Sequence, residues 1–317
     1  MKHSIKITLV LVVMFFIAQL IGIFVASVYA PKTVQVINET TGALENKTGY
    51  PNLPSQFKPP EDVSPKGALY SIIFAVFLGV ILMLSLMKFK AEIFLKSWFL
   101  VVIVIGIALC LNAFIIKLLR ISIPNSFYLA LLISIPLGLL KMFKRNMFVH
   151  NITELMIYPG IASVFIPLLS VWTVVFLLFI ISIYDMYAVW HAGFMQKMAK
   201  YQIEKLKIFS GFFVPYFGKK ERELIRNAKK SNTLHKLKNK KIKINVAILG
   251  GGDVVFPIIL AGVVLQALGL AQALIIALGA TAALSFLFYI SEKGKFYPAM
   301  PFISAGCLIA LGIAYLI

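Results

Sequence analysis

The chain contains three aspartates, and two of them, Asp185 and Asp253, stand inside apolar runs. An ionised carboxylate is costly at membrane depth, so each is a candidate for function by default. Asp185 lies six residues before an inner boundary drawn at His191, about 9 Å deep along a helix, and Asp253 lies ten residues past Lys243, about 15 Å deep. The spans carrying them run in opposite directions from one inner segment, so the two side chains can face each other. No Lys or Arg falls inside the spans as drawn to neutralise either one. Two carboxyls so placed are expected to share a proton and titrate as a pair. The ionised member then takes a proton from water attacking a peptide carbonyl, while the protonated member hydrogen-bonds the developing oxyanion and assists the leaving nitrogen. Spacing alone equally allows a pair of polar helix-packing residues, or a cation or proton pathway.

The residues beside the aspartates narrow the choice. Asp253 closes the run Gly250-Gly251-Gly252-Asp253. Each glycine in a helix interior costs about 1 kcal/mol relative to alanine, so the helix is expected to loosen there. Non-helical backbone at membrane depth is tolerated where it is buried in protein or lines a wet cavity, which hydrolysis requires. Close helix packing through small residues is the bland alternative. Further along, Pro298 and Pro301 remove two backbone donors and disfavour helix at the residues before them. Carbonyls freed in this way could pair with an unwound substrate.

The elements that must position these residues are membrane spans. With 60% hydrophobic residues, 14% charged residues and a mean hydropathy of +0.92, the 317-residue chain is no pair of soluble domains. Helical runs of about 20 apolar residues are expected at Ile7–Tyr29, Gly67–Met87, Trp98–Ile116, Ile121–Leu140, Phe148–Phe165, Leu168–Trp190, Ile244–Leu265, Leu270–Ile290 and Pro298–Ile317. The expected fold class is therefore an all-α polytopic membrane protein of nine transmembrane helices. The net charge of +19 does not point to nucleic acid, because 15 of the 31 basic residues fall between Lys197 and Lys243, where topology explains them. A cytoplasmic N-terminus puts 25 basic residues inside and 6 outside, so the N-terminus is expected in the cytoplasm and the C-terminus outside. Val28-Tyr29-Ala30 would suit a signal peptidase, but the preceding 23-residue apolar run exceeds a signal h-region of about 7 to 15, so the first run is read as an uncleaved span.

The organisation that follows has four parts: 1–147, a bundle of four spans with an external loop at 30–66; 148–196, spans five and six with the first aspartate; 197–243, a basic cytoplasmic loop; and 244–317, spans seven to nine. The external loop is rich in proline and is expected to be poorly ordered or extended, with sequons at Asn38 and Asn46. Cys110 and Cys307 lie in apolar runs and read as small buried side chains, which excludes a disulfide framework.

Tyr184-Asp185 in a sixth span, Gly250-x-Gly252-Asp253 in a seventh and Pro298-Ala299-Met300-Pro301 opening a ninth together resemble the presenilin and signal peptide peptidase family of intramembrane aspartyl proteases, archaeal presenilin homologues above all. The resemblance covers the order of all nine spans and is motif-level from Leu168 onward. It implies catalytic roles for Asp185 and Asp253. It also implies substrate-binding roles for Tyr184, Gly250, Gly251, Gly252, Pro298, Ala299 and Met300. The family pattern is Pro-Ala-Leu, so Met300 is a departure of similar volume.

Other intramembrane chemistries fail by absence. No His-Glu-x-x-His occurs and the four histidines are scattered, so no metal site is expected; no span carries the Gly-x-Ser of a rhomboid-like serine protease. The expected protein is an intramembrane-cleaving aspartic endopeptidase of the cell membrane. Its partners would be transmembrane-helix or signal-peptide substrates, it needs no cofactor, and the reading requires no accessory subunits. Its rival is an ion channel or coupled transporter using the same two aspartates. Ile208–Phe217, apolar and aromatic between Lys205, Lys207, Lys219 and Lys220, is expected to anchor the basic loop on anionic lipid, or by family analogy to plug the active site.

Overall fold

The computed structural model describes residues 5–37, 44–60, 64–89, 91–120, 124–144, 146–192, 210–217, 244–291 and 297–317. Among these residues there are nine apolar α-helices: α1 (Ile5–Val28), α2 (Pro65–Lys88), α3 (Glu92–Leu119), α4 (Asn125–Phe143), α5 (Met147–Phe165), α6 (Val171–Tyr187), α7 (Gly251–Ala267), α8 (Leu270–Ile290) and α9 (Met300–Leu316). Seven are long and apolar enough to cross a membrane, while α7 and α9 have 17 residues each. Helices are what such sequences must form in lipid, because every backbone donor and acceptor then finds its partner within the segment.

The core lies where α1, α5 and α7 meet. α1 packs on α5, α7 and α8; α3 packs on α4 and α5; α9 pairs with α8 and also touches α6 and α7. Glycines allow the closest crossings. Gly106 of α3 and Gly160 of α5 bring their backbones together so tightly that a Cβ on Gly160 would overlap the Gly106 carbonyl, and Gly279 of α8 meets Gly306 of α9 in the same way. Some polar side chains inside the bundle join separate segments of the chain. The buried Tyr29 hydroxyl donates to Leu109 O at 2.7 Å and accepts from Asn112 Nδ2 at 2.9 Å. α2 is peripheral, reaching only α3 and α6 closely, and leaves Phe74, Phe77 and Ile81 exposed.

Two departures from the sequence expectations matter. The loop at 30–66, expected to be external, contains an antiparallel pair of strands, β1 (Lys32–Ile37) and β2 (Leu44–Gly49), with Lys32 opposite Gly49. The β-branched residues at 33, 34, 36 and 37 favour that extended state. The segment after it is tied down by Asn52 Nδ2 donating to Val28 O at 2.8 Å and by the buried Leu53. The Asn38 sequon lies outside the described residues. The second departure lies at the expected seventh span. Ile244–Gly250 is not helix but strand β4, paired antiparallel with β3 (Gly211–Phe217). Alternation explains this: Ala247 and Leu249 are buried while Val246 and Ile248 are half exposed, a period of two. Asp253 therefore lies in the first turn of α7, and a depth counted along a helix from Lys243 does not apply.

Candidate active site

Asp253 is placed by local structure. Gly250 is the N-cap of α7 with extended dihedrals (φ −65°, ψ 147°) and no capping side chain, so Asp253 is the third helical residue. An acid at that position can reach back to the N-cap amide. The Gly250 N–H does donate to the Asp253 carboxylate, and a Cβ on Gly250 would stand 3.1 Å from its Oδ2. The three glycines thus serve different purposes. Gly250 leaves room for the carboxylate. Gly251 is buried, and a Cβ there would come within 2.8 Å of the Tyr158 ring and 3.0 Å of Ser210 Oγ. Gly252 is exposed, with open space beside it. The expected helix loosening takes the form of a strand-to-helix junction. Pro257, one turn into α7, lacks the N–H that would otherwise pair with the Asp253 carbonyl. On the far side, Gln19 of α1 donates to Val254 O at 3.2 Å, a tie with no signature in the sequence.

Asp185 is placed by tertiary structure. It sits in the last turn of α6, buried, before a π-helical turn over Ala188–Ala192. Its Oδ2 accepts the Met300 N–H at 3.0 Å, and the Ala299 N–H also points at it. Ala299 is the N-cap of α9, without a capping side chain of its own. The first amides of a helix have no internal partner, and the helix dipole favours an anion beside them. Pro298 and Pro301 carry no N–H, so the motif leaves the amides of Ala299 and Met300 between them to meet Asp185. Those prolines act chiefly by shaping a helix start rather than by freeing carbonyls: Ala299 O already accepts from the Ile303 N–H. One turn back on α6, Ser182 Oγ donates to Ser304 Oγ of α9 at 2.9 Å, fastening the same pair of helices.

The two carboxylates thus come to one place from α6 and α7, each against a helix N-terminus, close enough for Asp185 to act electrostatically on Asp253. Tyr184, half buried, is adjacent to Asp185 in sequence and feels its charge. Sequence reasoning also missed a buried cation. Lys141, in the last turn of α4, is buried and bonds Glu154 of α5, which His150 approaches at 3.4 Å; the inner loop assigned to Lys141 begins later than drawn. Asn151 and Glu154, near the start of α5, reach β3. An acid and a base on either side of a tight helix-to-helix turn was the available signal. Phe212 is fully buried and packs edge-on against Tyr158, so one face of β3 docks in the protein.

A bundle of apolar helices with two carboxylates converging inside it has the architecture of an intramembrane aspartic protease. The family model described as signal-peptide peptidase, presenilin aspartyl protease matches residues 43–317, and the chain belongs to that family. It is a multi-pass membrane protein and an intramembrane-cleaving aspartic endopeptidase. Among solved structures, a presenilin family intramembrane aspartate protease in space group C222 superposes with a TM-score of 0.59 at 15% identity, covering 98% of both chains. A presenilin family intramembrane aspartate protease in space group P2 gives 0.56 at 16% identity, covering 97% of both. No curated protein matches the chain.

Proposed function

We propose that Asp185 and Asp253 are the catalytic pair of this protease. One observation carries the reading: each carboxylate is held at a helix N-terminus by backbone amides, Asp185 by Met300 and Asp253 by Gly250, while the two remain within electrostatic reach. Fixed amides orient both groups without consuming either as an ion-pair partner. The ionised carboxylate accepts a proton from water as its oxygen bonds the peptide carbonyl carbon. The protonated one donates to the carbonyl oxygen, and collapse of the tetrahedral intermediate expels the amine, which takes its proton from the pair. Tyr184, Gly250, Gly251, Gly252, Pro298, Ala299 and Met300 form the surround in which a substrate backbone lies. Replacing either aspartate by asparagine and incubating the purified protein with a transmembrane peptide tests this. Hydrolysis by either variant above that of the double variant overturns the assignment.

The substrates are transmembrane helices or remnant signal peptides, cut in the cytoplasmic half of the membrane. Nine spans, with α7 and α9 completing the seven long ones, and the 25 to 6 bias of basic residues support a cytoplasmic N-terminus and an external C-terminus in the cell membrane. The four parts drawn from the sequence are read as functional units, with β3 on α5 and β4 leading into α7 tying the basic loop to the second and fourth. The remaining basic residues of that loop meet anionic lipid. Because catalytic geometry is chiral, this orientation accepts substrates whose N-terminus is external. Matched substrates inserted in both directions in sealed membranes test it, and preferential cutting of the N-in substrate refutes it.

A further inference from the structure

The β3–β4 hairpin has two unlike edges. In an antiparallel pair the N–H and C=O of a given residue both point toward the partner or both point away. Gly211 and Phe213 make their other hydrogen bonds to α5, so Gly211, Phe213 and Pro215 face away from β4. The first two are paired and the third offers no donor. The Phe213 N–H donates to Asn151 Oδ1 at 3.2 Å and its carbonyl accepts from Asn151 Nδ2 at 2.9 Å, so one side-chain amide supplies both bonds of a neighbouring strand. The Gly211 carbonyl accepts from His150 Nε2 at 2.9 Å and its N–H points at Glu154 Oε1 at 3.4 Å. Pro215 has no N–H to offer, and this outward position is where a strand tolerates proline. Gly211 has a φ of 148°, a conformation that favours glycine.

β4 is the opposite. Its residues across from those three are Gly250, Ile248 and Val246. The Gly250 N–H is taken by Asp253. Among the described residues nothing pairs with the outward backbone groups of Val246 and Ile248, whose side chains are 44% and 45% exposed. A two-stranded hairpin is marginally stable by itself, so what holds its register is its outside contacts. A slip of two residues would carry Gly250 about 7 Å along the strand, whereas a catalytic constellation tolerates about 0.5 Å.

We propose that Asn151, backed by His150 and Glu154, is a positioning residue of the protease. It acts as a surrogate strand on the outer edge of β3. It also fixes the hairpin's register along α5, and with it the substrate bond that is delivered to the dyad. The proposal rests on Asp185 and Asp253 being the catalytic pair. The test maps the cut sites of one transmembrane peptide by mass spectrometry, using the full-length enzyme and its Asn151→Ala and Asn151→Leu variants. In both variants the native cut is expected to lose about 100-fold in kcat/KM, as for an ångström-scale misplacement, and products cut one or two residues away appear. An unchanged cut-site distribution in the volume-conserving leucine variant overturns the proposal, whatever the total yield and even if the alanine variant does not fold. A purely structural role would lower the yield without moving the site. Asp253→Asn in the same assay separates the two readings, because cleavage surviving there removes the catalytic pair and leaves the Asn151 result to be read on its own.

Discussion

α7 and α9 are both 17 residues long and both begin beside a carboxylate, but they obtain it from different places. α7 supplies its own, Asp253, three residues after the N-cap Gly250 whose amide it bonds. α9 borrows Asp185 from α6, across 115 positions of sequence. In the first case the helix start and the carboxylate move together, so displacing one displaces the other. In the second, two separate helices must be docked for the contact to exist, and Ser182–Ser304 helps to dock them. The same anion-at-helix-start principle is local at one end of the site and tertiary at the other.

The comparison can be broken most severely at the carboxylates. Asp185→Asn and Asp253→Asn should each reduce peptide cleavage by about 10⁴-fold or more and the double variant no further, since the pair acts as a unit; single-turnover assays with a fluorescent transmembrane peptide measure this. Asn keeps an oxygen for the Met300 or Gly250 amide, so both variants should remain folded and inserted.

Next in size is the contrast between neighbouring glycines. Gly251→Ala drives a methyl into Tyr158 and Ser210 and should destabilise the protein by about 1–3 kcal/mol, with activity falling as the junction moves. Gly252→Ala meets nothing closer than the Phe256 ring at 3.9 Å and should leave stability within about 0.5 kcal/mol. Thermal unfolding in detergent compares the two, and equal losses would mean that the α7 start is not held by Tyr158.

The pH profile sharpens the pairing itself. A dyad competent only when singly protonated gives a bell-shaped kcat/KM, with double protonation on the acid limb and double ionisation on the basic limb. A rate climbing steadily from about pH 4 to 9 contradicts acid-base sharing. The smallest expected effect is at the docking contact. Ser182→Ala removes one hydrogen bond between α6 and α9 and should cost about 1 kcal/mol, lowering the melting temperature while leaving the pH profile's shape unchanged.

The span pattern was legible because lipid leaves the backbone few choices: α8 begins and ends where the hydropathy placed it, at Leu270 and Ile290, and α5 differs from its expected start by one residue. Ile244–Gly250 misled because a short apolar run beside a membrane helix reads as more helix, while its period of two is masked when every residue but Asn245 and Gly250 is apolar. Lys141 and Glu154 misled for a related reason. Lys141 stands where a loop was expected and Glu154 inside the expected fifth span, and only their mutual contact makes burial affordable.

Solvent and near neighbours account for the legible features: apolar helices, a glycine-flanked acid at the head of α7, and a proline-bounded helix start at α9. Hydrophobic length and capping act over a few residues and are written in consecutive letters. The packing of distant helices sets what those starts face: Asp185 against the Met300 amide, Gln19 on the Val254 carbonyl, and Asn151 on the edge of β3. Those contacts join residues far apart in the chain, and a hydrogen bond's partner is fixed by where helices cross rather than by the residues beside it.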